Sequence, residues 1–99
     1  MHREECLTAA ADCVCGQREQ EYGSPKDNFQ MIANLWSVYT KHPISARDVA
    51  IMMALLKIAR IQTGAKTADS YIDLAGYAAI AAELDPGAPC PEYLRKHED

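Results

Sequence analysis

Serine followed by helix-opening residues punctuates this chain twice, in "YGSPKD" and in "SARD", and that punctuation leaves room for little but helices. Ser24 reads as an N-cap with Pro25 at the first helical position and Asp27 at the third. Ser45 and Asp48 repeat the device as a reciprocal cap. Strand signals are nearly absent. No β-branched run alternates with polar residues, and no Asn-Gly or Asp-Gly hairpin turn occurs.

Four helical segments follow. The first is expected over about Glu4 to Glu21, where Gly23 can take the positive φ of a helix stop. The second, Pro25 to about Lys41, carries Phe29, Ile32, Ala33, Trp36 and Tyr39 on one stripe and closes before Pro43. The third, Ala46 to about Gln62, places Val49, Ile51, Met52, Met53, Leu55, Leu56, Ile58 and Ile61 almost all the way round, so it is central or shared with another chain. Gly64 ends it. Thr67 or Asp69 caps the fourth, residues 68–84, and residues 85–99 form a polar tail. The reading is a single all-α domain over residues 1–99, a four-helix antiparallel bundle. The third and fourth helices have too little polar surface for a lone small bundle, so a homodimer or larger homo-oligomer using them is expected.

At 99 residues the chain builds one domain with a modest core. Its net charge of −4 and lack of any basic run exclude duplex nucleic acid as a partner. No uncharged apolar stretch is long enough to span a membrane. The opening "MHREECLTAAADC" has early acids and no apolar core of a secretory signal. The expected location is the cytoplasm. Cys6, Cys13, Cys15 and Cys90 lack the paired spacing of a zinc site and read as reduced, small apolar residues.

Chemistry concentrates in "DSYIDLAGYAAIAAE". Asp69 and Asp73 stand i, i+4, on one face one turn apart, where like charges repel. On the preceding helix Lys57 and Arg60 share a face at i, i+3. An antiparallel pair brings these four together. Two readings are open: an internal salt-bridge network, or a ligand site in which the carboxylates hold Mg²⁺ and the cations hold phosphate oxygens. Arg18, Tyr22 and Asn28, with Trp36 and Tyr77, could line such a site, the aromatics stacking on a base and the amide reading its edge. No phosphate-cradling glycine loop, HExxH or GxSxG is present.

The blocks "YGSPKDNFQMIANLWSVY", "DVAIMMALLKIAR" and "DSYIDLAGYAAIAAE" resemble a family of small all-α proteins of tailed phages and prophages, over about Arg18 to Glu83. More distantly the layout is similar to MazG-type nucleoside triphosphate pyrophosphohydrolases and to phage domains associated with nucleotide modification. The MazG resemblance implies Mg²⁺ on Asp69 and Asp73. The Glu-rich motif that completes such sites has no counterpart: Glu4 and Glu5 lack a third acid one turn later, and Glu19 and Glu21 point to different faces. The expectation is a phage-encoded nucleotide-binding protein, and, if an enzyme, a Mg²⁺-dependent pyrophosphohydrolase. The alternative is a non-enzymatic protein that binds and inhibits or sequesters a host defence component, a protein or a nucleotide signal. A third is a purely structural or regulatory dimer.

Overall fold

A computed structural model describes residues 1–16, 23–64 and 67–97, and every regular element among them is helical. α1 spans Arg3–Cys15, α2 Pro25–Thr40, α3 Ala46–Thr63 and α4 Ala68–Leu84. A 3₁₀ segment, Glu92–His97, lies in the tail.

The caps form as the sequence dictates. Ser24 Oγ accepts the Asp27 N–H at 3.4 Å. At α3, Ser45 Oγ accepts the Asp48 N–H at 3.0 Å while Asp48 Oδ2 accepts the Ser45 N–H, also at 3.0 Å. Two orphan donors of the helix start are thereby satisfied. Gly23 sits at φ 81, a conformation that favours glycine. Between α2 and α3 the chain turns at Lys41, which takes a left-handed φ of 60. Ser37 pins this turn from both sides: its hydroxyl donates to the Ile44 carbonyl at 3.2 Å and accepts the Ile44 N–H at 2.9 Å.

Three details depart from expectation. α1 stops at Cys15, because Gly16 leaves helical geometry, and the expected continuation to Glu21 falls on residues 17–22, outside the described residues. Thr67 is the N-cap of α4 but makes no side-chain capping bond. Tyr39 is exposed, not on the inner stripe of α2: three residues after Trp36, its direction has rotated away from the line of Phe29, Ile32, Ala33 and Trp36.

The helices pack in the order α1–α4–α3–α2, with α3 against α4 the most extensive contact. Two ion pairs fix the α3–α4 register. Arg47 Nε lies 3.5 Å from Asp85 Oδ2, and Lys57 Nζ lies 3.0 Å from Asp73 Oδ2. A residue early in α3 thus meets one late in α4, and a later one meets an earlier one, so the two helices run antiparallel. The core is built from small side chains: Ala10, Ala33, Val49, Ala50, Ala54 and Ala81, with Ser70 and Gly76 also buried. Small residues let the backbones approach closely. At Gly76 a Cβ would stand 3.0 Å from Val14 Cγ1, which is where α1 crosses α4. Cys13, Cys15 and Cys90 are exposed and Cys6 half-buried, so only Cys6 is placed to act as a small packing residue.

Candidate functional site: the seam between α3 and α4

Lys57 is the best-enclosed of the paired cations. Its side chain is 15% exposed, against 32% for its partner Asp73. The reason is local: Val49, Ala50 and Ala54 turn the same side of α3 into the core, and Lys57 continues that side toward α4. Its methylene stem lies along apolar surface and its ammonium meets the carboxylate. The pair is partly withdrawn from water, so it is worth more than a surface pair and harder to break.

The seam carries further groups at helical spacing. Asp69, one turn before Asp73, is exposed in the first turn of α4, where a carboxylate also complements the helix dipole. Tyr77, one turn after Asp73, is half-buried and packs on Phe29 of α2, the ring centroids 6.2 Å apart and tilted by 40°. Two carboxylates and an aromatic ring thus follow one another along α4, and the Lys57 ammonium reaches Asp73 from α3. Asn28 precedes Phe29 in the first turn of α2 and is exposed. Trp36 is half-buried on the inner side of α2.

Of the residues singled out from sequence, the structure joins Lys57 to Asp73. Arg60 and Asp69 are at matching heights in the antiparallel register, yet both are exposed and neither forms an ion pair with a described residue. Arg18 and Tyr22 lie outside the described residues. No group of three or more His, Cys, Asp or Glu side chains gathers to hold a metal ion among the described residues. Asp69 and Asp73 therefore offer at most two carboxylates, one of them already facing an ammonium. A surface hollow at the start of α1 is lined by Met1, His2, Arg3, Glu4 and Glu5, and none of the seam residues borders it.

Sequence reasoning missed the second ion pair. Arg47 also lies 3.5 Å from Asp48, so it bridges the α3 cap to Asp85 beyond α4. The Asp48 carboxyl is held below its ordinary range, chiefly by the Ser45 backbone N–H, then by the Ser45 hydroxyl, with Arg47 adding to it. The antiparallel register, once drawn, points Arg47 at Asp85 and would have revealed the pair.

A small all-helical protein with one partly enclosed ion pair across its central helix seam is the class that these features define. The chain belongs to the phage protein family described as "Domain of unknown function (DUF6378)", whose model matches residues 5–85. It is 42% identical to the Gene 55 protein of Mycobacterium phage L5 over 79 residues, covering 79% of this chain and 51% of that protein. It is 44% identical to the Gene 55 protein of Mycobacterium phage D29 over 81 residues, 82% of this chain and 54% of that one. The chain thus spans about half the length of these relatives. No solved structure matches it. No described helix is long and apolar enough to cross a membrane.

Proposed function

We propose that the α3–α4 seam binds a nucleotide-like phosphate ligand, and that the protein does so as a homo-oligomer. The observation that carries this is Lys57: a side chain 15% exposed whose ammonium meets one carboxylate, with a second carboxylate one turn away along α4. A purely structural pair needs no Asp69 at that spacing beyond its helix-dipole contribution. In the bound state Lys57 and Arg60 neutralise phosphate charge, and the Tyr77–Phe29 edge offers a face for a base.

Asp69 and Asp73 suffice for Mg²⁺ only where phosphate oxygens and water complete its shell, as that ion prefers. Two carboxylates without a third fit binding better than hydrolysis. The similarity to MazG-type pyrophosphohydrolases is thus an analogy of layout, and chemistry on the ligand is the less supported branch.

The test is a thermal melt against a nucleotide panel with and without Mg²⁺. A ligand at a hundred times its Kd stabilises by about 2.7 kcal/mol, a rise of many degrees for a domain this small. The rise should shrink in Asp69→Asn, which touches no core residue. A complete panel with no shift removes the reading. Pyrophosphate release that appears with Mg²⁺ and vanishes in Asp73→Asn would promote the hydrolytic branch.

A further inference from the structure

The apolar character of α3 does not end at its buried side. Met52, Leu55, Leu56 and Ala59 recur at i, i+3, i+4 and i+7 along α3, centred on the side away from Ala50 and Ala54, and all four are exposed. The one charge within that span, Lys57, is turned toward Asp73. The neighbouring α2 repeats the arrangement: Met31, Leu35 and Val38, at i, i+4 and i+7, face outward, with Val38 78% exposed. α4, by contrast, exposes only Tyr71 among its large apolar side chains. α3 already packs on α4 and on α2, and the stripe Met52, Leu55, Leu56 and Ala59 is what those two neighbours leave uncovered.

The surface area says how much cover is missing. Folded monomers of this mass, 10.9 kDa, expose about 5,600 Å² by the usual scaling with mass. This chain exposes 7623 Å². Its radius of gyration of 14.7 Å likewise exceeds the roughly 12.6 Å of a compact domain of this length. The excess area is larger than the ~800 Å² that each partner of a stable interface gives up.

We infer that the outward stripe of α3 is an isologous interface with a second copy of this chain, the two α3 helices crossing antiparallel about Leu55 and Leu56. The pattern is self-complementary in that arrangement. A two-fold axis between Leu55 and Leu56 sets each against the other on the mate, and sets Met52 of each copy against the small Ala59 of the other. Large against small is how facing helices interdigitate. A two-fold needs one surface that fits itself, and between Met52 and Ala59 this stripe does so through apolar side chains, with Arg60 one turn beyond Leu56 at its end. The interface lies on the side of α3 opposite to Lys57, so it leaves the seam to α4 open and stands or falls separately from ligand binding.

Sedimentation of the full chain across a wide concentration range tests this. The wild type should sediment as a dimer, Leu55→Glu and Leu56→Glu as monomers with undiminished helical circular dichroism, and Tyr71→Glu on α4 as a dimer. A second measurement covers variants that fail to fold. In a background where Cys6, Cys13, Cys15 and Cys90 are serine, Leu55→Cys should form a covalent dimer on mild oxidation, whereas Tyr71→Cys should not. A wild type that stays monomeric at all concentrations overturns the inference and leaves the stripe to a different chain or segment. A dimer that survives Leu55→Glu, or a Leu55→Cys chain that does not cross-link, places the interface elsewhere and overturns it equally.

Discussion

Breaking the Lys57–Asp73 pair from either side should cost unequal amounts, and the inequality follows from the exposures. A solvent-exposed ion pair contributes ~0.2–1 kcal/mol, whereas removing one partner of a buried pair costs ~3–5 kcal/mol. With side chains 15% and 32% exposed, this pair falls between. Asp73→Asn leaves the more enclosed group, the Lys57 ammonium, without its counter-charge, and should cost about 2 kcal/mol, a fall of roughly 8 to 16 °C in Tm for a domain of this size. Lys57→Met keeps the aliphatic stem and helix propensity and strands only a carboxylate that water can reach, so about 1 kcal/mol is expected. The double variant should cost less than the sum by about 1 kcal/mol, since the second change removes a charge the first has already isolated. Urea denaturation of the four proteins at one protein concentration measures all three quantities. Additivity within ~0.3 kcal/mol would mean that the 3.0 Å contact contributes nothing to the seam, and equal single costs would refute the argument from exposure.

Other perturbations act through single features. Ser45→Ala removes the cap hydroxyl of α3 and should lower stability by about 1 kcal/mol in the same urea titration. Asp48 titrates lower in the folded chain than its ordinary value of 3.8, so its contribution is complete at neutral pH and is lost as pH falls through the folded value. The stability gap between wild type and Asp48→Asn should therefore be level from about pH 7 to pH 5 and close below about pH 4, and a gap that widens in acid would reverse that sign. Gly76→Ala gains up to ~1 kcal/mol of helix propensity but sets a Cβ 3.0 Å from Val14 Cγ1. It should be destabilising in the wild type and stabilising in a Val14→Ala background, as read by paired thermal melts.

The fold was legible where the chain carries local chemistry. Ser24 with Pro25 and Ser45 with Asp48 announce helix starts by hydrogen bonds made within three residues, so no tertiary information was required. Gly23 marked a turn for the same reason. The misjudged direction of Tyr39 was of a different kind. Its spacing suits a stripe over one turn, but three residues rotate a helix by only about 300°, and the drift is resolved by which neighbour the helix meets. The end of α1 at Cys15 was hidden in plain composition: whether a glycine such as Gly16 ends a helix or is tolerated depends on packing that local pattern does not contain.

The candidate site was legible to the same degree. Lys57 and Asp73 are joined because antiparallel helices linked by a short turn must align the end of one with the start of the next, and the i, i+3 and i, i+4 spacings do the rest. Arg60 and Asp69 share that logic but sit at the rim, where side-chain entropy and water compete with any contact, so pattern alone overstated the cluster.

The alanine-rich core and the doubly apolar α3 have one cause. Ala33, Ala50, Ala54 and Ala81 bring backbones close but bury little area each, so these helices gain less from each other than leucine-filled helices would. Ile51, Met53, Leu74 and Ile80 are half-buried around those alanines, while Met31, Leu35, Met52, Leu55 and Leu56 are exposed. On that arrangement Leu55→Ala should cost far less in the isolated fold than the ~2–5 kcal/mol of a core truncation, and should express its loss as weaker association. Stability that falls equally at all protein concentrations would mean that Leu55 belongs to the core after all.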